Sequence, residues 1–149
     1  MKIAIGTDMD GHVPQLVATE LLKMGHVLTR FGAFTTPTAP WPKVAADVAN
    51  EIAKGDAEMG VLFCWTGTGI SLAANKIKGI RAALCNDAET AAGARKWNDA
   101  NVLAMSLRST SEQVAKEILA AWFSTSPSEE AEDLVCMEYL ERLENERFK

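Results

Sequence analysis

Five short apolar runs, each followed by a segment with helical spacing, constrain this chain more than any other feature. Lys2 to Gly6 reads as a buried strand. Val13, Leu16, Val17 and Leu21 then keep helical spacing, with Pro14 in a first turn that tolerates a missing N–H and Gly25 placed to stop the helix. His26 to Phe31 is the second strand. Gly32 to Pro42 holds Pro37, Pro40, Pro42 and three threonines and reads as a loop, after which Val44, Val48 and Ile52 resume a helix. The third strand ends at Cys64. A helix from about Ile70 to Lys76, a strand from Arg81 to Cys85, an alanine-rich helix from Glu89 to Trp97 and a strand from Val102 to Met105 follow. Ser109 with Glu112 offers a capping box to a fifth helix, whose face is Val114, Ile118 and Trp122. From Glu129 onward, Leu134, Met137, Leu140 and Leu143 form a stripe at i, i+3 steps that must pack on something. Such alternation predicts an α/β protein: a five-stranded parallel sheet covered on both faces, with ligands at the strand carboxyl ends.

The chain's 149 residues, 48% hydrophobic and 23% charged, fit one domain over 1–149, able to bury roughly 70% of its unfolded surface. Fifteen basic against twenty acidic residues give a net charge of −5, and no Lys/Arg cluster exceeds two adjacent residues, which argues against nucleic acid as a partner. Cys64, Cys85 and Cys136 lie far apart without CxxC spacing, so neither a disulfide framework nor a metal site is expected, and the reduced cytoplasm is the natural compartment. The apolar start, Met1 to Gly6, is too short for a signal peptide, and no run is long enough to span a membrane.

Chemistry is expected where strands end. Cys64 closes the run Met59-Gly60-Val61-Leu62-Phe63 and opens into Trp65-Thr66-Gly67-Thr68-Gly69-Ile70-Ser71, a glycine-rich turn leading into a helix. Unpaired N–H groups there can face an anion or a developing oxyanion, and a thiol there serves as base or nucleophile; alternatively, Cys64 is a small buried apolar residue. Asp8, the first carboxylate after strand one, reads equally as a site residue or a helix N-cap. His12 reads as a surface residue of a first helical turn and His26 as a structural histidine. Arg81 starts a strand, whereas Arg108, just past strand five, is placed to meet an anion.

Gly6-Thr7-Asp8, Cys64-x-Thr66-Gly67-x-Gly69-Ile70-Ser71, Ala73-Ala74-Asn75-Lys76, Gly79-Ile80-Arg81-Ala82 and Asn98-Asp99-x-Asn101-Val102-Leu103 resemble, in order and over nearly the whole chain, the type B ribose-5-phosphate isomerase family, which includes the galactose-6-phosphate isomerase subunits. The resemblance implies a three-layer flavodoxin-like sandwich, a homodimer whose sites are shared between subunits, and a striped last helix used in dimerisation. It also implies cofactor-free aldose–ketose isomerisation through an enediolate. Cys64 would be the carbon-proton base, with Asp8 and Thr66 at the substrate oxygens. The turn Gly67, Thr68, Gly69, with Ser71 behind it, and Asn98 would face the oxyanion.

Departures from the family pattern fall on residues that handle ring and phosphate. Met9 stands where members carry a histidine after the aspartate, and Trp97 where they carry the ring-opening histidine. Trp65 replaces a small residue after the cysteine and Trp41 a tyrosine before the loop proline. The stretch Glu132-Asp133-Leu134-Val135-Cys136 has no base where members clamp phosphate with arginines, leaving Arg108 alone. Ribose 5-phosphate is therefore not the expected best substrate. Two candidates follow: a tetrose phosphate, whose blocked ring closure makes the missing histidine unnecessary and whose length suits a pocket shortened by Trp65, or an unphosphorylated sugar held on tryptophan faces. A catalytically silent subunit or small-molecule sensor is the reading from a different class.

Overall fold

Ile3, Ala4 and Ile5 in the first run and Val61, Leu62, Phe63 and Cys64 in the third are all buried, consecutive residues rather than alternate ones. That is how strands read when helices cover both faces of a sheet. The structure, a computed structural model, describes residues 1–148. Its strands are β1 (Lys2–Thr7), β2 (Val27–Gly32), β3 (Met59–Cys64), β4 (Ala82–Leu84) and β5 (Val102–Ser106). Its helices are α1 (His12–Lys23), α2 (Trp41–Ala53), α3 (Thr68–Ala74), α4 (Ala88–Asn98), α5 (Glu112–Ser124) and α6 (Ala131–Arg147). All strand pairs are parallel, in the order β2-β1-β3-β5-β4. The expected three-layer sandwich is present, with β5 inserted between β3 and β4.

One face of the sheet buries Ile3, Ile5, Val61, Phe63, Leu103 and Met105 against α1, α4 and α5; Trp122 is its largest fully buried side chain. The other face buries Ala4, Leu62, Cys64, Val102 and Ala104 against Val44, Val48, Ile70 and Ala74 of α2 and α3. Cys64 thus points toward the α2/α3 layer.

Three local expectations need correction. Ser111, not Ser109, caps α5: its hydroxyl accepts from Val114 N at 3.2 Å, while Ser109 N donates to Ser106 Oγ at 3.1 Å. His26 precedes β2 instead of starting it, its ring 4.7 Å from that of Phe123. The fourth strand is only three residues long, with Arg81 just before it: its carbonyl accepts from Asn101 N and Val102 N, and its side chain pairs with Glu144 of α6 at 2.9 Å and Asp99 at 3.7 Å. That ion pair ties α6 to the domain. No residue of α6 is buried; of the stripe, Leu134 and Leu143 stay 42% and 37% exposed, while Met137 and Leu140 are half-buried. The stripe finds no complete cover within one chain.

Candidate functional site

The sheet's order reverses between β1 and β3. From β1 the chain crosses to β2 on one side, through α1 on one face. From β3 it proceeds toward β5 and β4, through α3 on the other face. The loops leaving these adjacent strands diverge and open a crevice at their carboxyl ends, the position where open α/β sheets bind ligands. Thr7 is level with Phe63, and Asp8 N donates to Phe63 O at 3.4 Å, so the first residue past β1 lies beside the last residue of β3. The crevice there is a cleft of about 280 Å³ lined by Asp8, Trp41, Cys64, Trp65, Thr66, Thr68 and Gly69.

Cys64 is only 5% exposed and forms its floor. Behind it the turn is fixed by Gly67, in the left-handed region at φ 77° as N-cap of α3; a Cβ there would lie 2.5 Å from Leu84 Cδ1 and 3.1 Å from Met105 C. Only glycine fits. No side chain caps α3, which leaves the first-turn N–H groups of Thr68, Gly69 and Ile70 without a protein acceptor. The Thr66 and Thr68 hydroxyls are 2.8 Å apart, bridging the two ends of the turn. At Gly69 a Cβ would come within 3.3 Å of the Trp41 ring, so the missing side chain is what lets Trp41 settle as one wall.

Asp8 is half-buried. Its Oδ1 is shielded from solvent and takes no hydrogen bond from the protein, and burial raises the carboxyl above its ordinary value against opposing backbone hydrogen bonds. It is not a helix cap, since Gly11 occupies that position on α1. The 33–40 loop, through Ala39 N to Asp8 O at 3.3 Å and an isolated bridge between Met9 and Thr38, straps the Asp8 turn from outside. Sequence reading found the loop but not this contact, whose signal would have been the prolines fixing its path. Ser106, in the strand-end stretch Ser106 to Arg108 that the sequence offers as a candidate, is level with Cys64 on β5, and its hydroxyl donates to Trp65 O at 2.9 Å. That role depends on β5 lying beside β3, which strand sequence does not reveal.

Arg108 is exposed beyond β5, its N–H donating to Trp65 O at 2.9 Å, and Ser71 sits one turn along α3. His12 is held by Glu112 at 3.0 Å, outside the Cys64 cleft. Trp97 and Asn98 are not at the cleft. They end α4, and Asn101, three residues further, accepts from Gly60 N at the start of β3, placing them at the opposite end of the sheet from Cys64. Among the described residues no cluster of His, Cys, Asp or Glu has the arrangement of a metal site, and no helix is long and apolar enough to cross a membrane.

A parallel α/β sheet with a thiol and a carboxyl at its switch point defines a class of small-molecule site, and comparison with known proteins narrows it. The family described as Ribose/Galactose Isomerase matches residues 3–135, and the chain belongs to it. Ribose-5-P isomerase B of Listeria innocua is 38% identical over 84% of this chain and 85% of its own length. The D-erythrulose-4-phosphate isomerase of Pectobacterium atrosepticum is 38% identical over 82% of each. The ribose-5-phosphate isomerase B structure from Clostridium thermocellum superposes with a TM-score of 0.90 at 32% identity, covering 99% of both chains. The chain is thus a member of an isomerase family, and its fold is the one found in those structures.

Proposed function

We propose that the protein is an aldose–ketose isomerase of a short, open-chain sugar phosphate, moving a carbon-bound proton through Cys64 and an enediolate without metal or organic cofactor. The observation carrying this reading is the placement of buried Cys64 beside Asp8, whose Oδ1 has no protein partner, facing the uncapped first turn of α3. Cys64, as thiolate, takes the proton from the carbon next to the carbonyl. The C–H electron pair becomes the enediolate double bond, and charge collects on the former carbonyl oxygen, where the N–H groups of the Gly67–Gly69 turn face it. Asp8 relays the hydroxyl proton between the two substrate oxygens, with Thr66 orienting them, and Cys64 returns its proton to the neighbouring carbon. A carboxyl raised by burial exchanges protons more readily near neutral pH than an ordinary one.

Chain length follows from the cleft. No histidine lines it, so it carries no group to open a furanose ring, and Trp41 and Trp65 bracket it. A tetrose phosphate has no furanose to open. Two relatives carry a four-carbon sugar phosphate in their names, which favours a phosphorylated substrate over a free sugar. Arg108, exposed just past β5, is the base assigned to the phosphate, and ribose 5-phosphate is not the preferred substrate.

A homodimer belongs to the same proposal. Asn98 lies at the wrong end of its own sheet to serve its own Cys64, so a second copy supplies Asn98 and Trp97 to the mouth of the cleft, with the uncovered stripe of α6 buried in the contact. The cytoplasm, where thiols stay reduced, suits such a base. The test is proton NMR in D2O with free and phosphorylated tetroses, pentoses and hexoses, watching exchange next to the carbonyl with Cys64→Ala as control. Exchange confined to short sugar phosphates and abolished in the variant is expected; silence across the panel would leave a ligand-binding protein without the reaction.

A further inference from the structure

Trp65 presents a second cleft as well as the first. Beside its indole lies a second space of about 270 Å³, lined by Met9, Asp10, His12, Val13, Pro14 and Leu107 among others, nearly the volume of the Cys64 cleft, and Trp65 is the one residue lining both. The side chain is 56% exposed, so it contributes little to the core. Its backbone is nonetheless pinned twice at the carbonyl, by Ser106 Oγ and Arg108 N, each at 2.9 Å. An indole on an anchored backbone, bordering two spaces of nearly equal volume, stands where a partition would. The opposite wall offers no relief, because the Trp41 ring is seated against Gly69 and α3.

We propose that Trp65 sets substrate length: its indole confines a bound sugar phosphate to the Cys64 cleft, and the rear cleft is the space a chain one carbon longer would occupy. This rests on the isomerase reading above and deepens it. Met9, Val13, Pro14 and Leu107 make the rear space largely apolar, its one carboxylate, Asp10, already accepts from Gly11 N and Gln15 Nε2 and repels a phosphate, and His12 is engaged by Glu112, so nothing there draws a short substrate away from Cys64. The indole works by exclusion, and removing it adds room without removing any group assigned to proton transfer.

The test compares D-erythrulose 4-phosphate, too short to form a furanose, with D-ribulose 5-phosphate, whose phosphate blocks furanose closure, so that length is the main variable. Wild type, Trp65→Phe and Trp65→Gly are assayed for kcat/KM on each. The five-to-four-carbon ratio is expected to rise roughly tenfold or more in Trp65→Gly, with Trp65→Phe between, the scale at which a pocket discriminates one carbon unit. A ratio within about twofold of wild type in both variants would overturn the assignment. Binding of four- and five-carbon aldonate phosphates, followed by protection of Cys64 from alkylation, provides a readout independent of turnover. If wild type turns over neither ketose, the isomerase reading fails. The length assignment then stands if the affinity ratio shifts toward five carbons in Trp65→Gly and falls if it does not.

Discussion

Asp8 sits in the fold at a cost. Burial raises its carboxyl above the ordinary value, so the folded chain holds that proton more tightly than the unfolded one. Ionisation of Asp8 therefore opposes folding above its folded-state value, and the opposition disappears as pH falls below the ordinary carboxylate value. Asp8→Asn removes the penalty. Thermal melts should find the variant more stable than wild type at about pH 7 and no different at about pH 3. Isomerisation in the same variant should fall by about 10² to 10⁴. Gain of stability with loss of activity is the signature of a residue kept for chemistry, and an equally active variant would remove Asp8 from the mechanism. The thiols make a second residue-scale contrast. Burial, with Asp87 nearby, pushes Cys85 up to about 12, so it stays inert, whereas Cys136 is exposed on α6 and alkylates on access alone. The informative comparison is thus Cys64 against Cys85 in a Cys136→Ser background. Iodoacetamide labelling near neutral pH, read by peptide mass, should modify Cys64 first and be slowed by a bound sugar phosphate; equal labelling of the two would contradict the base assignment.

The turn joining β3 to α3 is the element on which the site depends, and its geometry is set by Gly67. An alanine there would have to hold φ 77° and place a methyl 2.5 Å from Leu84 and 3.1 Å from the Met105 backbone. Gly67→Ala should cost about 1–3 kcal/mol, measured by urea denaturation, from left-handed strain and the clash together. It should also depress turnover by tilting the N–H groups of the first turn; a variant as stable and active as wild type would mean that the turn flexes freely. This element was legible in sequence because its signals are local: an apolar run, a thiol, two glycines and a resumed helix. The α5 start was misplaced by two residues because Ser109 and Ser111 both fit a cap, and only the demand of Ser106 Oγ on Ser109 N separates them. The last helix was found, yet its partner was not, since an apolar stripe states that something covers it and not what. Nor did the sequence betray that the Arg81 side chain would pair with Glu144, a partner 63 residues away.

At the scale of the molecule, the alternation of strands and helices implied a parallel sheet, but strand order is a matter of which crossovers pack, and it alone decides which loops meet. Asp8 and Cys64 come together because β1 and β3 are neighbours, while Asn98 is separated from Cys64 because α4 runs back against the strand direction. The family motif therefore spans two ends of one sheet, and the proposed homodimer is what would unite them in one site. If the dimer is a C2 pair with the α4 end of each subunit at the cleft of the other, as proposed, a sharp genetic test follows. Cys64→Ala and Asn98→Ala should each be inactive alone. Co-expressed with distinguishable tags and purified through both, they form a hybrid in which one cleft carries both lesions and the other carries neither. That hybrid should recover about half the activity of a wild-type dimer, with the substrate affinity of wild type. If Asn98 served Cys64 of its own chain, every cleft in the hybrid would carry one lesion and no activity would return.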